Sequence, residues 1–145
     1  MATFVMSVVI EAPVSVVFGF HEREDALALL TPAFPPVRMI GRTTGIETGS
    51  RVELRVGGVR WVAMHTAYEK DRLFVDEQIE GPFAKWVHRH EFEDVAGKTR
   101  LTDRVEYRLP GGPLVNRMLS GFMNAGLGRM FRHRHAVTKR ICERR

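Results

Sequence analysis

Two histidines, His88 and His90, stand at alternate positions in GPFAKWVHRHEF, flanked in the same alternation by Trp86 and Phe92. Strand side chains repeat every two residues, so these four point to one face. The following segment, TRLTDRVEYRLP, places Asp103 and Tyr107 on its apolar side, and the preceding one, RLFVDEQIEG, places Phe74, Asp76 and Gln78 together. A turn at Gly97 that sets Phe92 opposite Leu101 also sets His90 opposite Asp103, His88 opposite Val105 and Trp86 opposite Tyr107. A Gly81-Pro82 turn with Gln78 opposite Trp86 brings Asp76 to His88 and Phe74 to His90. Two pairs, His88–Asp76 and His90–Asp103, are the consequence. Polar groups drawn inward cost several kilocalories unless paired, so the cluster either satisfies itself or meets a ligand.

Three kinds of chemistry suit such a group. Histidine–carboxylate pairs can hold strands in register. They can contact a ligand. They can also move a proton on a carbonyl-bearing substrate, with His88 or His90 as acid or base, its tautomer set by aspartate, and Tyr107 bonding a developing enolate oxygen. A His-x-His pair with a facing carboxylate also has the composition of a two-histidine, one-carboxylate metal site. That spacing is a weak signal, and His21, His65, His133 and His135 are scattered, so neither metal nor cofactor is expected. No nucleophile elbow, Cys–His partnership or glycine-rich phosphate loop is present.

The elements that must position these residues follow from pattern. TFVMSVVIEA is a first strand by its Val and Ile content. Pro13 opens the short helix VSVVFGF, and REDALALLTP is a second short helix stopped at Thr31 by Pro32. AFPPVRMIG is turn-like and then extended. Four or five strands succeed it, from SRVELRV, VRWVAMHTAYEK, RLFVDEQIEG, AKWVHRHEFED and TRLTDRVEYRLP, broken at Gly57-Gly58, Lys70-Asp71, Gly81-Pro82 and Gly97-Lys98. After Pro110 the apolar period changes. Leu114, Met118, Phe122 and Met130, with Val115, Leu119 and Leu127, recur at three- and four-residue steps in a long helix ending near Ile141, a stripe read chiefly as core.

The chain of 145 residues suits one domain, spanning 1–145. Its net charge of +5 is local. Residues 129–145 hold seven Lys/Arg and one acid, leaving the body one charge negative. The tail lacks stacking aromatics after Phe131, so no nucleic-acid partner is expected. Cations at a helix end are favoured by its dipole, and weak contact with anionic lipid is the other reading of the tail. One cysteine, Cys142, excludes an internal disulfide framework. With no leader-like start and no apolar run of the roughly 18 residues a membrane span requires, a cytoplasmic location is expected.

IEAPVSVVFGF and FVDEQIEGPFAKWVHRHEFEDVAGKTRLTDRVEYRLP resemble the SRPBCC superfamily, the START-related and polyketide cyclase/dehydrase-like domains. The spacing F-x-D-x-Q-x-x-G-P-F-x-x-W-x-H-x-H-x-F, then T-x-L-x-D-x-V-x-Y-x-L-P, is similar to that of small bacterial members. The resemblance covers nearly the whole chain. It implies an α+β helix-grip fold: a curved antiparallel sheet wrapped around a long C-terminal helix, with two short helices after the first strand. It also implies a cavity between sheet and helix for a hydrophobic or amphipathic small molecule of lipid, polyketide or isoprenoid type. Its polar wall would be Asp76, Gln78, His88, His90, Asp103 and Tyr107, and its apolar lining Phe34, Trp61, Phe74, Trp86, Phe92, Met118, Phe122 and Met130. Binding is the first expectation, cyclase or dehydratase activity in the same cavity the second, and a lipid-surface or partner-binding role of the basic tail the third.

Overall fold

The computed structural model describes residues 2–31, 37–42 and 45–144. The expected lining residue Phe34 lies outside them. Strand β1 (Ala2–Ile10) leads into helices α1 (Val14–His21) and α2 (Ala26–Leu30). Strands β2 (Val37–Arg42), β3 (Arg51–Val56), β4 (Val59–Glu69), β5 (Leu73–Glu80), β6 (Lys85–Val95) and β7 (Lys98–Arg108) follow, and helix α3 (Gly112–Glu143) closes the chain. The strands form one antiparallel sheet in the order β1-β7-β6-β5-β4-β3-β2. Register shifts between Met39 and Gly41 on β2, between His65 and Ala67 on β4, and opposite Val62/Ala63 at Ile79 on β5 bend those strands and curve the sheet. The expected helix-grip architecture is therefore present.

Hairpin chemistry sets the registers. Gly57 and Gly58 both take positive φ, 57° and 88°, as a two-residue turn matching the twist of its strands requires. The β6–β7 turn is Ala96-Gly97, with Val95 paired to Lys98, one residue earlier than the Gly97-Lys98 break expected. Ala96 consequently sits at φ 53°, left-handed space that glycine or asparagine tolerates better than alanine. The register beyond it holds Phe92 opposite Leu101 and His90 opposite Asp103.

One sheet face is buried in two apolar blocks. Ile10, Val17, Phe18, Leu30, Phe74, Phe92, Leu101, Val137 and Cys142 pack together beneath α1, α2 and the end of α3. Phe18 meets Phe92, Tyr68 and Phe74 edge-on at centroid distances of 5.0, 5.7 and 6.0 Å. Trp86, Val105, Tyr107, Leu127 and Phe131 form the other block, with Trp61, Phe83 and Met130 against it. Tyr107, fully buried, donates its hydroxyl to Asn124 Oδ1 at 2.6 Å and so ties β7 to α3.

The apolar stripe of α3 is not core where it was expected to be. Leu114, Met118 and Phe122 are 69%, 70% and 79% exposed. The face that meets the sheet instead carries Asn124, Leu127, Phe131, His135, Thr138 and Cys142. Polar members of that face satisfy hydrogen bonds internally, so its hydrophobicity understates its burial. Cys142 belongs to this buried face and not to the charged surface of the tail.

Replacing exposed Ala96 by asparagine creates an Asn-Gly turn suited to the observed backbone. Ala96→Asn is expected to raise the urea unfolding free energy by roughly 0.5–1 kcal/mol. A decrease would contradict the left-handed assignment.

Candidate functional site

Between the two apolar blocks runs a belt of ionisable side chains. Along β6, Trp86 and Phe92 belong to opposite blocks and His88 and His90 lie between them. On β7, Asp103 separates Leu101 from Val105, and on α3 His135 follows Phe131 by one turn. Asp76 completes the belt from β5, where it stands opposite His88. His88, His90, Asp103 and His135 are all buried. Asp76 is the more open member, with 19% of its side chain exposed.

The strand pairings are Asp76 with His88 and His90 with Asp103, yet the short hydrogen bonds run diagonally. His88 Nε2 lies 2.8 Å from Asp103 Oδ1, and His90 Nε2 2.9 Å from Asp76 Oδ2. An imidazole's far nitrogen overshoots the residue directly opposite, whose Cβ is only about 5 Å away, and reaches the next one. The straight contacts persist at longer range: His90 Nδ1 to Asp103 Oδ1 is 3.2 Å and His88 Nδ1 to Asp76 Oδ2 is 3.9 Å. The two rings stack at 3.7 Å, and Phe74 stacks on His90 from the other side at 3.8 Å.

Sequence reasoning passed over His135, whose Nε2 meets Asp103 Oδ2 at 2.6 Å. Continuing the Leu127–Phe131 spacing by one further turn would have found it. It also passed over His21, which bonds the Val17 carbonyl through Nδ1 at 2.8 Å and lies edge-on to His90. Arg134 is a third, its guanidinium over the Phe131 ring and its Nε without a hydrogen-bond partner.

Electrostatics follow from burial and these contacts. Burial alone would raise Asp103, but hydrogen bonds from His135, His88 and His90 hold it well below the ordinary carboxylate range. Asp76 is likewise opposed by burial and brought down to about 2 by the His90 bond and the neighbouring imidazoles. Burial would lower His90, yet its bonds to both aspartates outweigh that and raise it. His88 is lowered by burial and by adjacent His90, against the pull of Asp103. Across the belt, then, two carboxylates are held low, His90 is raised and His88 is lowered, with His88 Nε2 turned to Asp103.

Other expected site residues lie around or away from this group. Trp86 and Phe92 flank it, and Trp61 reaches it through Trp86 at 5.2 Å between ring centroids. Gln78 spends its amide on the turn, donating to the Phe83 carbonyl at 2.8 Å and accepting from the Phe83 N–H at 3.1 Å. Tyr107 spends its hydroxyl on α3. Met130 packs against the Trp86 block, whereas Met118 and Phe122 face solvent. Beneath the C-terminal half of α3, side chains pack directly on the sheet, Phe131 against Phe4 at 5.6 Å and against His88 at 5.1 Å. An open cleft of about 660 Å³ beside the start of α3, lined by Arg108, Leu109, Asn116 and Arg117 among others, shares no residue with the belt.

Acid should loosen the fold here. Burial lowers His21 from 6.5 to about 4, so between those values the unfolded chain binds a proton that the folded chain refuses. Stability is full above the unfolded value and falls as pH drops toward the folded one, by roughly 3 kcal/mol from this residue. His88, shifted the same way, adds to the loss. His21→Leu is expected to flatten the fall in urea midpoint between about pH 7 and about pH 5; an equally steep fall in the variant contradicts the assignment.

Residues 10–135 match the family model described as polyketide cyclase / dehydrase and lipid transport. A search of curated proteins returns no match. Among solved structures, the nucleoside-diphosphate sugar epimerase of Corynebacterium glutamicum is 28% identical with a TM-score of 0.74; the match covers 94% of this chain and 28% of that one. The chain thus spans under a third of that protein's length. The Zhui aromatase/cyclase of Streptomyces sp. R1128 superposes with a TM-score of 0.77 at 15% identity, over 99% of this chain and 94% of that one. A START superfamily protein of Mycobacterium smegmatis does so with a TM-score of 0.69 at 13% identity, over 98% and 97%. At those two identities the likeness is one of fold. The family match over most of the chain and the gripped α3 agree: this chain belongs to the polyketide cyclase/dehydrase and lipid-transport family of the SRPBCC superfamily.

Proposed function

We propose that the chain binds a hydrophobic or amphipathic small molecule of lipid, polyketide or isoprenoid type, its apolar body along the β2–β4 half of the sheet and its oxygenated end at the belt. The observation that carries this reading is a pair of adjacent rows. Met39, Leu54 and Trp61 stand directly opposite one another across β2, β3 and β4, and Trp61 continues the row to Trp86. Met39 is 37% exposed, and Leu54 and Trp61 are half-buried. Beside them, His65, Asp76 and His88 stand in register across β4, β5 and β6. An amphipathic guest laid on the first row gains burial at about 25 cal/mol per Å² and meets hydrogen-bonding groups at the second. The family description supports the ligand class.

The same belt would serve the enzymatic alternative, a cyclase or dehydratase. Tyr107 is committed to α3, so the imidazoles would carry proton transfer. Both readings are tested with a naphthalene-sulfonate dye, an apolar ring system with an anionic end. Trp61 and Trp86, the two tryptophans of the chain, report binding by quenching. Leu54→Asp is expected to weaken the dye at least tenfold, because it places a charge in the apolar row. Unchanged affinity in both Leu54→Asp and Trp61→Ala would sink the proposal. Conversion of a candidate substrate that is lost in His90→Ala while binding persists would favour the enzyme.

The outward face of α3 supports a second reading, docking on an anionic lipid surface. Met118, Phe122, Arg129, Arg132 and Arg140 follow one another at helical spacing and are all exposed, apolar at one end and basic at the other. A helix of that design lies in the interface, with rings among acyl chains and cations on headgroups. Co-sedimentation with phosphatidylglycerol vesicles at low salt should be lost in Phe122→Asp and should fall as salt screens the arginines. Undiminished sedimentation of Phe122→Asp, or a dimer that covers this face in solution without vesicles, overturns it.

A further inference from the structure

We propose that Asp76, His88 and His90 form a binding site for a divalent first-row transition-metal ion, with Asp103 as the positioning residue for both imidazoles. Asp76 Oδ2, His88 Nδ1 and His90 Nε2 all lie within 4.8 Å of one another. Oδ2 is 2.9 Å from the His90 nitrogen and 3.9 Å from the His88 nitrogen. Bonds of about 2.0–2.2 Å to a tetrahedral ion put neighbouring donors roughly 3.3–3.5 Å apart. Shifts of about half an ångström bring the two carboxylate distances to that value, and the two imidazole nitrogens, which lie within 4.8 Å of each other, must approach to the same separation.

The arrangement behind the donors points the same way. Asp103 Oδ1 takes His88 Nε2 at 2.8 Å and faces His90 Nδ1 at 3.2 Å, while its Oδ2 takes His135 Nε2 at 2.6 Å. Each imidazole thus gives one nitrogen to Asp103 and turns the other toward Asp76, the carboxylate–histidine backing that metal-bound histidines require. With its proton on Nε2, His88 directs the Nδ1 lone pair at a carboxylate oxygen across a gap too long for a hydrogen bond. Two lone-pair donors facing each other across such a gap are held better by a cation between them than by nothing. Asp76, the second carboxylate facing these rings, is also the one open to solvent.

Donor chemistry selects the ion. Two imidazole nitrogens and one carboxylate oxygen suit zinc, iron(II), cobalt or nickel, whereas magnesium and calcium prefer oxygen alone. Binding forms two metal–nitrogen bonds and one metal–oxygen bond, and the proton now shared by His90 Nε2 and Asp76 Oδ2 passes to solvent. Asp76, 19% exposed, is the side of the site that solvent reaches, and His65 stands directly across from it on β4. The site does not depend on an organic ligand, so its failure and that of the proposed small-molecule binding are separately visible.

The test titrates Co2+, then Zn2+, into the chelator-stripped full chain carrying no histidine tag. One Co2+ per chain with a visible ligand-field band is expected. Asp76→Asn and His88→Ala should each weaken it at least tenfold, Asp103→Asn by about 10–100-fold through lost orientation, and His133→Ala, on the exposed face of α3, should leave it unchanged. No band, or a band equally strong in Asp76→Asn and His88→Ala, overturns the proposal. Should those variants fail to fold, anomalous diffraction from Zn2+-soaked wild-type crystals decides: a peak about 2.0–2.2 Å from the three donor atoms supports the site, and a peak elsewhere or none overturns it.

Discussion

Two carboxylates inside an apolar fold must be neutralised where they stand, and the middle of this protein is organised around that requirement. Asp103 is 4% exposed and accepts from imidazoles on its own neighbouring strand and on α3. Removing one partner of such a buried set leaves an uncompensated charge, which costs far more than the pair contributes when intact. The His135–Asp103 bond therefore does more than fill space: it sets where along β7 the long helix must sit. Tyr107 fixes the same contact about three turns nearer the start of α3, through Asn124. The His135 and Asn124 bonds thus join helix and sheet directionally, with the apolar contacts of Leu127 and Phe131 between them.

The belt also separates two cores that differ in character. Beneath α1 and α2, aromatic rings meet edge-on and leave a dense, dry block. The Trp86 block instead grades outward through Trp61 into half-buried Leu54 and partly exposed Met39. A sheet curved by bulges on β2, β4 and β5 turns that graded edge toward the belt. Apolar surface, ionisable groups and solvent access meet there, whereas beneath the C-terminal half of α3 Phe131 already fills the space.

Much of the site was legible because strand periodicity is strict. Alternation put His88 and His90 on one face, and glycine-bearing turns led to the observed partners of both, Asp76 and Asp103. The turn itself fell one residue away from the expected break without disturbing that register, since Phe92 opposite Leu101 was the constraint that mattered. Helical periodicity was less informative. Leu114, Met118 and Phe122 make the more hydrophobic stripe of α3 and face outward, while the stripe with His135 and Thr138 faces in. Apolar content predicts burial only when the buried face has no polar duties.

By itself the sequence determined the order of elements, the strand faces and the pairing of the central hairpins, because each depends on residues close in the chain and on a period of two. Tertiary structure alone decided which nitrogen meets which carboxylate, that His135 joins them from a helix 32 residues away from Asp103, and that Gln78 and Tyr107 are occupied by backbone and helix. Those outcomes depend on ring reach, sheet curvature and the seating of α3. Each is a matter of a few ångströms between segments distant in the chain, and no local pattern encodes such distances.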